Sequence, residues 1–192
     1  MEFTDKNTLK LDKILNELDK FVLRFIRILE KHTDYVIISG YVAILLGRSR
    51  ATEDVDVFIK LIDKEKFAQL YKELKKNNFW CLNAENIDEV YSYLENGLAI
   101  RFADKNTSIP NFEVKIAKRL ISLESFRDRI TVITQEGNIK ISSLERQIAF
   151  KRYYLKSDKD LEDAKHLEET FKGNIDRDKI KSYKRLIDHE MA

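Results

Sequence analysis

One cysteine, one proline and five glycines stand in 192 residues. A lone Cys81 excludes an internal disulfide and a cysteine-rich zinc site, and beside Trp80 in NNFWCLN it reads as a buried structural thiol. No Pro/Gly/Ser linker, internal repeat or low-complexity tract interrupts the chain. The three histidines, His32, His166 and His189, lack the spacing that assembles a zinc site, and no Gly-x-x-x-x-Gly-Lys-Ser/Thr phosphate loop is present. No apolar run approaches the length of a membrane span, and the first residues lack the apolar core of a signal peptide, so a soluble cytoplasmic protein with no membrane partner is expected. A net charge of +2 provides no global basic field, so any nucleic-acid surface must be local.

What is present is enough to build a core: 43% of the residues are hydrophobic, which suits one domain, or one domain with a helical appendage. Leu11, Leu15, Leu18, Val22, Phe25, Ile26 and Leu29 recur three or four apart, predicting a long amphipathic helix over 7–31. A short buried strand follows over 34–39, then a helix over 40–46 broken at Gly47. A second strand spans 54–61, and Asp63 N-caps a helix over 64–77. A short strand at 79–82, a helix at 87–94 and strands from Gly97 and Ile109 come next, then strands at 130–134 and 139–141 joined by Gln-Glu-Gly-Asn. From Ser143 the chain turns helical, with Leu144, Ile148 and Leu155 as an inward stripe and Gly173 as a break between later helices. The expected organisation is an α+β fold: a mixed β-sheet core with its N-terminal helix over 1–142, and a helical segment over 143–192 packed on it.

The most informative stretch is SGYVAILLGRSRATEDVDVFI, from Ser39 to Ile59. On a strand, residues i and i+2 share a face, so Asp54 and Asp56 lean into one small volume, roughly 6.6 Å apart, while Val55, Val57 and Ile59 face the core. Such a pair can hold a divalent metal; at a strand end it can equally be a solvated edge or a turn. Ser39 and Gly40 lie between a strand and a helix N-terminus, where a small residue lets the backbone approach a phosphate or simply packs. Glu113 alternates with Phe112, Val114 and Ile116, which puts it on the polar face of its strand as a candidate third carboxylate or a solvent-facing glutamate.

A strand ending in a small pair (Ser39, Gly40), a short helix and then Arg50-x-Thr52-x-Asp54-x-Asp56 resembles the signature of the polymerase β-type nucleotidyltransferase superfamily. The resemblance is closest to its minimal branch, with the AbiEii and MenT-like toxin nucleotidyltransferases. Downstream, Lys151 followed by Lys159-Asp160-x-x-Asp163 resembles the family's helix-borne lysine and its Lys/Arg-Asp-x-x-Asp pattern. The likeness runs over roughly residues 34–169, with Ser39-Gly40 standing where Gly-Gly or Gly-Ser is usual.

The resemblance implies a metal-dependent enzyme that transfers a nucleoside monophosphate from an NTP to a macromolecular acceptor, an RNA or tRNA end or a protein hydroxyl. It also implies a toxin–antitoxin setting, with a cognate antitoxin as partner. A non-catalytic nucleotide- or partner-binding module on the same fold is the alternative. By this likeness Asp54, Asp56 and Glu113 hold magnesium or manganese as a pair about 3.5–4 Å apart. Ser39 and Gly40 cradle phosphates, and Lys151 offsets phosphate charge as pyrophosphate leaves. Arg50 pairs with an acid or a phosphate and Thr52 bonds locally. Asp160 and Asp163, three apart on one helix face, orient Lys151.

Overall fold

In the computed structural model, which describes residues 1–190, the first ten residues pair as strands instead of opening a helix. Strands β1 (Glu2–Asp5) and β2 (Thr8–Lys10) form a hairpin whose turn is closed by Asn7 N–H donating to the Asp5 carboxylate at 2.8 Å. Leu9, Leu11 and Leu15 are buried, but from a strand and the loop after it. Their spacing imitates a helical stripe, while Ile14 between them is 94% exposed. The helix expected over 7–31 starts where the backbone is capped. Asn16 and Asp19 form a reciprocal capping box that opens α1 (Glu17–Leu29), an arrangement that contributes about 1 kcal/mol.

The remaining elements follow the expected order with small changes of boundary. They are β3 (Tyr35–Ile37), α2 (Gly40–Leu45), β4 (Asp54–Ile59), α3 (Lys64–Lys76), β5 (Phe79–Cys81), α4 (Ile87–Glu95), β6 (Ile100–Asp104) and β7 (Asn111–Ile116). A short α5 (Leu120–Glu124), which the apolar pattern did not predict, precedes β8 (Ile130–Thr134) and β9 (Gly137–Ile141). The helical end comprises α6 (Leu144–Phe150), a π-helical turn (Lys151–Leu155), α7 (Asp158–Thr170) and α8 (Arg177–Glu190). Asp63 caps α3 by accepting from Lys66 N–H at 2.8 Å, as its position before the periodic run requires.

These strands make one mixed sheet of order β1-β2-β8-β9-β3-β4-β7-β6-β5. β4 lies inside it, antiparallel to β3 and parallel to β7. On one face Phe21 and Phe25 of α1 stack on Phe112 of β7, at 5.0 and 3.9 Å between ring centroids, and Tyr71 of α3 meets Phe102 of β6. Fully burying a side chain such as Phe25 contributes about 1.5–3 kcal/mol. Leu144, Ile148, Ala164, Leu167 and Ile180 of the C-terminal helices belong to the same hydrophobic cluster.

Leu155 does not join the inward stripe of Leu144 and Ile148; it is 43% exposed. Leu155 ends the π-turn, whose wider winding takes it out of the α-helical register of Leu144 and Ile148. Among the described residues no helix is long and apolar enough to cross a membrane.

Candidate active site

β4 alternates as its sequence requires: Val55, Val57 and Ile59 are buried, while Asp54, Asp56 and Phe58 face the other side. The parallel register with β7 sets Asp54 beside Asn111, Asp56 beside Glu113 and Phe58 beside Lys115. Burial pushes the Asp56 carboxyl up to about 6, reinforced by the negative charges of Asp54 and Glu113; Lys115 and a hydrogen bond from the Ser39 hydroxyl oppose the rise. Thr52 bonds locally, its hydroxyl donating to the Asp54 carbonyl at 3.1 Å and reaching the Asp54 carboxylate at 3.3 Å.

Glu113 shares this face, but its oxygens are already engaged. Arg101 of β6, directly opposite in register, donates to one oxygen from Nε (3.1 Å) and Nη2 (2.7 Å), and Lys115 lies 2.5 Å from the other. Burial raises the Glu113 carboxyl, but the hydrogen bonds and charges of Lys115 and Arg101 outweigh it and hold the group below the usual range. Lys115 was findable as the next same-face residue on the strand; Arg101 required the β6–β7 register, which no local pattern encodes.

A divalent metal fits the first two carboxylates. Asp56 is a half-buried acid with Asp54 and Glu113 close enough to raise it, and magnesium is commonly held by one or two carboxylates with water and substrate phosphates completing its shell. A third protein ligand is not in place: among the described residues no group of three or more His, Cys, Asp or Glu is arranged to hold a metal. The expected trio therefore appears as a pair plus a glutamate held by two cations.

Ser39 adopts φ 64°, ψ −139°, a region almost reserved for glycine. Gln147 of α6 holds it there. With its amide oxygen toward the turn, Gln147 accepts from the Ser39 N–H (3.0 Å) and from the Ser142 hydroxyl (2.5 Å), while its NH2 donates to the Ser39 carbonyl (3.2 Å). The Ser39 N–H is thus bonded within the protein, and its hydroxyl is the group directed at Asp56. Gly40 has a steric reason for its identity, since a Cβ there would lie 2.5 Å from Arg50 Nη2. Sequence reading missed Gln147, which lies more than a hundred residues from the turn it braces.

Lys151, Asp160, Asp163 and Arg50 do come together. Lys151 Nζ lies 2.8 Å from Asp163 and 3.2 Å from Asp160, and Arg50 grips Asp163 through Nε (3.0 Å) and Nη2 (2.8 Å). Lys151 is fully buried, so its charge is matched inside the protein. Burial raises the Asp163 carboxyl, but hydrogen bonds from Arg50 and Lys151 and their charges outweigh it and hold the group low. Ser157 caps α7 by accepting from Asp160 N–H and also bonds the Asp160 side chain. Arg50 thereby ties the loop before β4 to the helix that fixes Lys151.

A cavity of about 610 Å³ opens between Asp56 and the C-terminal helices. Ser39, Gln147 and Lys151 reach one wall, Lys115, Lys118 and Arg119 another, and Phe58, Phe150 and Tyr154 give it an apolar, aromatic side. Cationic and aromatic groups beside Asp56 suit a ligand with an anionic tail and a flat ring.

No family model matches this sequence, and no curated protein matches it either. Among solved structures it is similar to an antigenic nucleotidyltransferase-like protein from Paracoccidioides brasiliensis, with TM-score 0.49, 16% identity, and coverage of 90% of this chain and 87% of that one. It is also similar to the antibiotic-resistance factor ANT(2'')-Ia, with TM-score 0.51, 11% identity, and coverage of 90% of this chain and 91% of that one. The mixed sheet with its flanking helices is a nucleotidyltransferase-like fold.

Proposed function

We propose that this chain is a metal-dependent nucleotidyltransferase that moves a nucleoside monophosphate from an NTP to a hydroxyl of a macromolecular acceptor. The observation supporting this reading is that Asp56, which shares a strand face with Asp54, lines a cavity together with Ser39, Lys115, Lys118 and Arg119. In the reaction the acceptor oxygen bonds to the α-phosphorus, the bond from that phosphorus to the β-bridging oxygen breaks, pyrophosphate leaves with the electron pair, and the hydroxyl proton is released to solvent.

Asp54 and Asp56 would hold magnesium or manganese, which supplies charge neutralisation for the triphosphate and the leaving group. Lys115, Lys118 and Arg119 would receive the phosphates, and Phe150 and Tyr154 the base. The Ser39 turn, braced by Gln147, would set the phosphate position beside Asp56. Lys151, with Asp160, Asp163 and Arg50, would shape the cavity wall; Glu113 would join the metal site on release by Arg101 and Lys115. The same chemistry would serve a toxin with a cognate antitoxin. The pairing of Glu113 by two cations is the feature that favours the alternative, a nucleotide-binding module without turnover.

The test is incubation of purified protein with each α-labelled NTP, magnesium or manganese, and cell extract. Label on an RNA or protein band, lost in Asp56→Asn, is expected; equal labelling by that variant would remove the acid pair from the mechanism.

A further inference from the structure

Glu113 stands between the acid pair and the cavity. In the parallel register of β4 with β7 it lies abreast of Asp56, and the face it shares carries Asp54 as well. Two residues along that face of β7 is Lys115, whose ammonium lies 2.5 Å from one Glu113 oxygen. Of the described residues, Lys115 lines the cavity with Lys118 and Arg119, and neither Glu113 nor Arg101 does. Lys118 donates to the Glu95 backbone carbonyl, whereas Lys115 holds an acid.

Lys115 therefore belongs to two sites at once. A polyphosphate in the cavity carries several negative charges against the single one of Glu113, so Coulombic attraction draws the ammonium toward it. Arg101 would not follow directly. It reaches Glu113 from β6, with Nη2 2.7 Å from the other oxygen, and holds the carboxylate beside Asp56 instead of letting it swing away. Its side chain is 53% exposed, so solvent screens this second hold and a divalent cation competes with it.

From this arrangement we infer that Lys115 is a latch that couples the cavity to the acid pair. With the cavity empty, Lys115 keeps Glu113 from the pair; with polyphosphate bound it leaves, and the freed oxygen becomes a third protein ligand beside Asp54 and Asp56. Polyphosphate and metal then strengthen each other's binding by the same factor, as linkage requires. A complete ligand set forms only where a phosphate-bearing substrate is in place. The inference rests on the reading of the acid pair as a metal site and of the cavity as a phosphate site, but the binding it predicts does not require turnover.

Four folded proteins test it: wild type, Lys115→Met, Glu113→Gln and the double variant, each titrated with Mn2+ alone and, in a chelator, with inorganic triphosphate. Lys115→Met should bind Mn2+ about fivefold more tightly than wild type, and should make no difference in the Glu113→Gln background. Glu113→Gln should bind metal-free triphosphate about fivefold more tightly, and should make no difference in the Lys115→Met background. A simple change of local charge would give the same gain in both backgrounds, and that result would overturn the latch. So would the absence of either gain; Mn2+ binding that Asp56→Asn still abolishes would then leave the metal reading standing without the latch. The predicted cycle with no transfer from any NTP would sink the enzymatic reading and keep the latch as a binding device. No Mn2+ bound by any of the four proteins would overturn both.

Discussion

Lys151 and Asp163 form an ion pair at 2.8 Å in which neither side chain is more than 1% exposed. A buried pair of this kind is weak support for stability as a unit, yet breaking one half strands a charge away from water. Asp160, Arg50 and Arg48 complete the set, so two carboxylates meet three cations, of which Lys151 lines the cavity.

Lys151→Met should therefore destabilise the fold by about 3 kcal/mol, with Arg50 still covering part of the Asp163 charge. Urea denaturation measures it. In a double-mutant cycle, Lys151→Met with Asp163→Leu should cost clearly less than the sum of the single changes. Additive losses would mean that the pair is not coupled.

Asp56 makes a prediction about pH in metal-free protein. Its carboxyl binds a proton more tightly folded, at about 6, than at the ordinary value of 3.8. It therefore contributes stability in full below 3.8 and loses that contribution as pH rises through about 6. Asp56→Asn should remove this fall and be more stable than wild type at neutral pH by roughly 3 kcal/mol. Asp163, held low, acts in the opposite direction: its contribution is present above the ordinary carboxylate pKa and is lost on acidification. Stability curves recorded with a chelator distinguish the two residues.

Added magnesium or manganese should reverse the Asp56 penalty. Wild type should gain melting temperature with metal concentration, as any ligand of the native state requires, and Asp56→Asn should not. An equal gain in both proteins would place metal binding elsewhere.

Gly40→Ala should move Arg50, because the new Cβ would meet its Nη2 at 2.5 Å. The expected loss is about 1–3 kcal/mol, with weaker nucleotide binding as the Asp163 clamp loosens. Ser39→Gly should act in the other direction on stability, relieving about 1 kcal/mol of backbone strain while removing the hydroxyl that reaches Asp56. Gln147→Leu should lose stability in the Ser39 background and much less of it with Ser39→Gly, which no longer needs bracing.

The sequence made β4 and its acid pair readable because a period of two is local. Asp63 likewise marked the start of α3. The convergence of Lys151 with Asp160 and Asp163 followed from helical spacing and family resemblance together. What escaped was set by tertiary context. Leu11 and Leu15 are buried from a loop, so their spacing mimicked a helix that Asn16 begins only later. A π-turn displaced Leu155, and the partners of Glu113 and Ser39 come from strand register and from a distant helix.

The most direct measurement runs α-labelled and γ-labelled NTP in parallel with the same acceptor mixture and metal. Nucleotidyl transfer predicts α label on the acceptor and γ label only in pyrophosphate, both lost in Asp54→Asn/Asp56→Asn. Label on the acceptor from the γ position, or from neither, would contradict it.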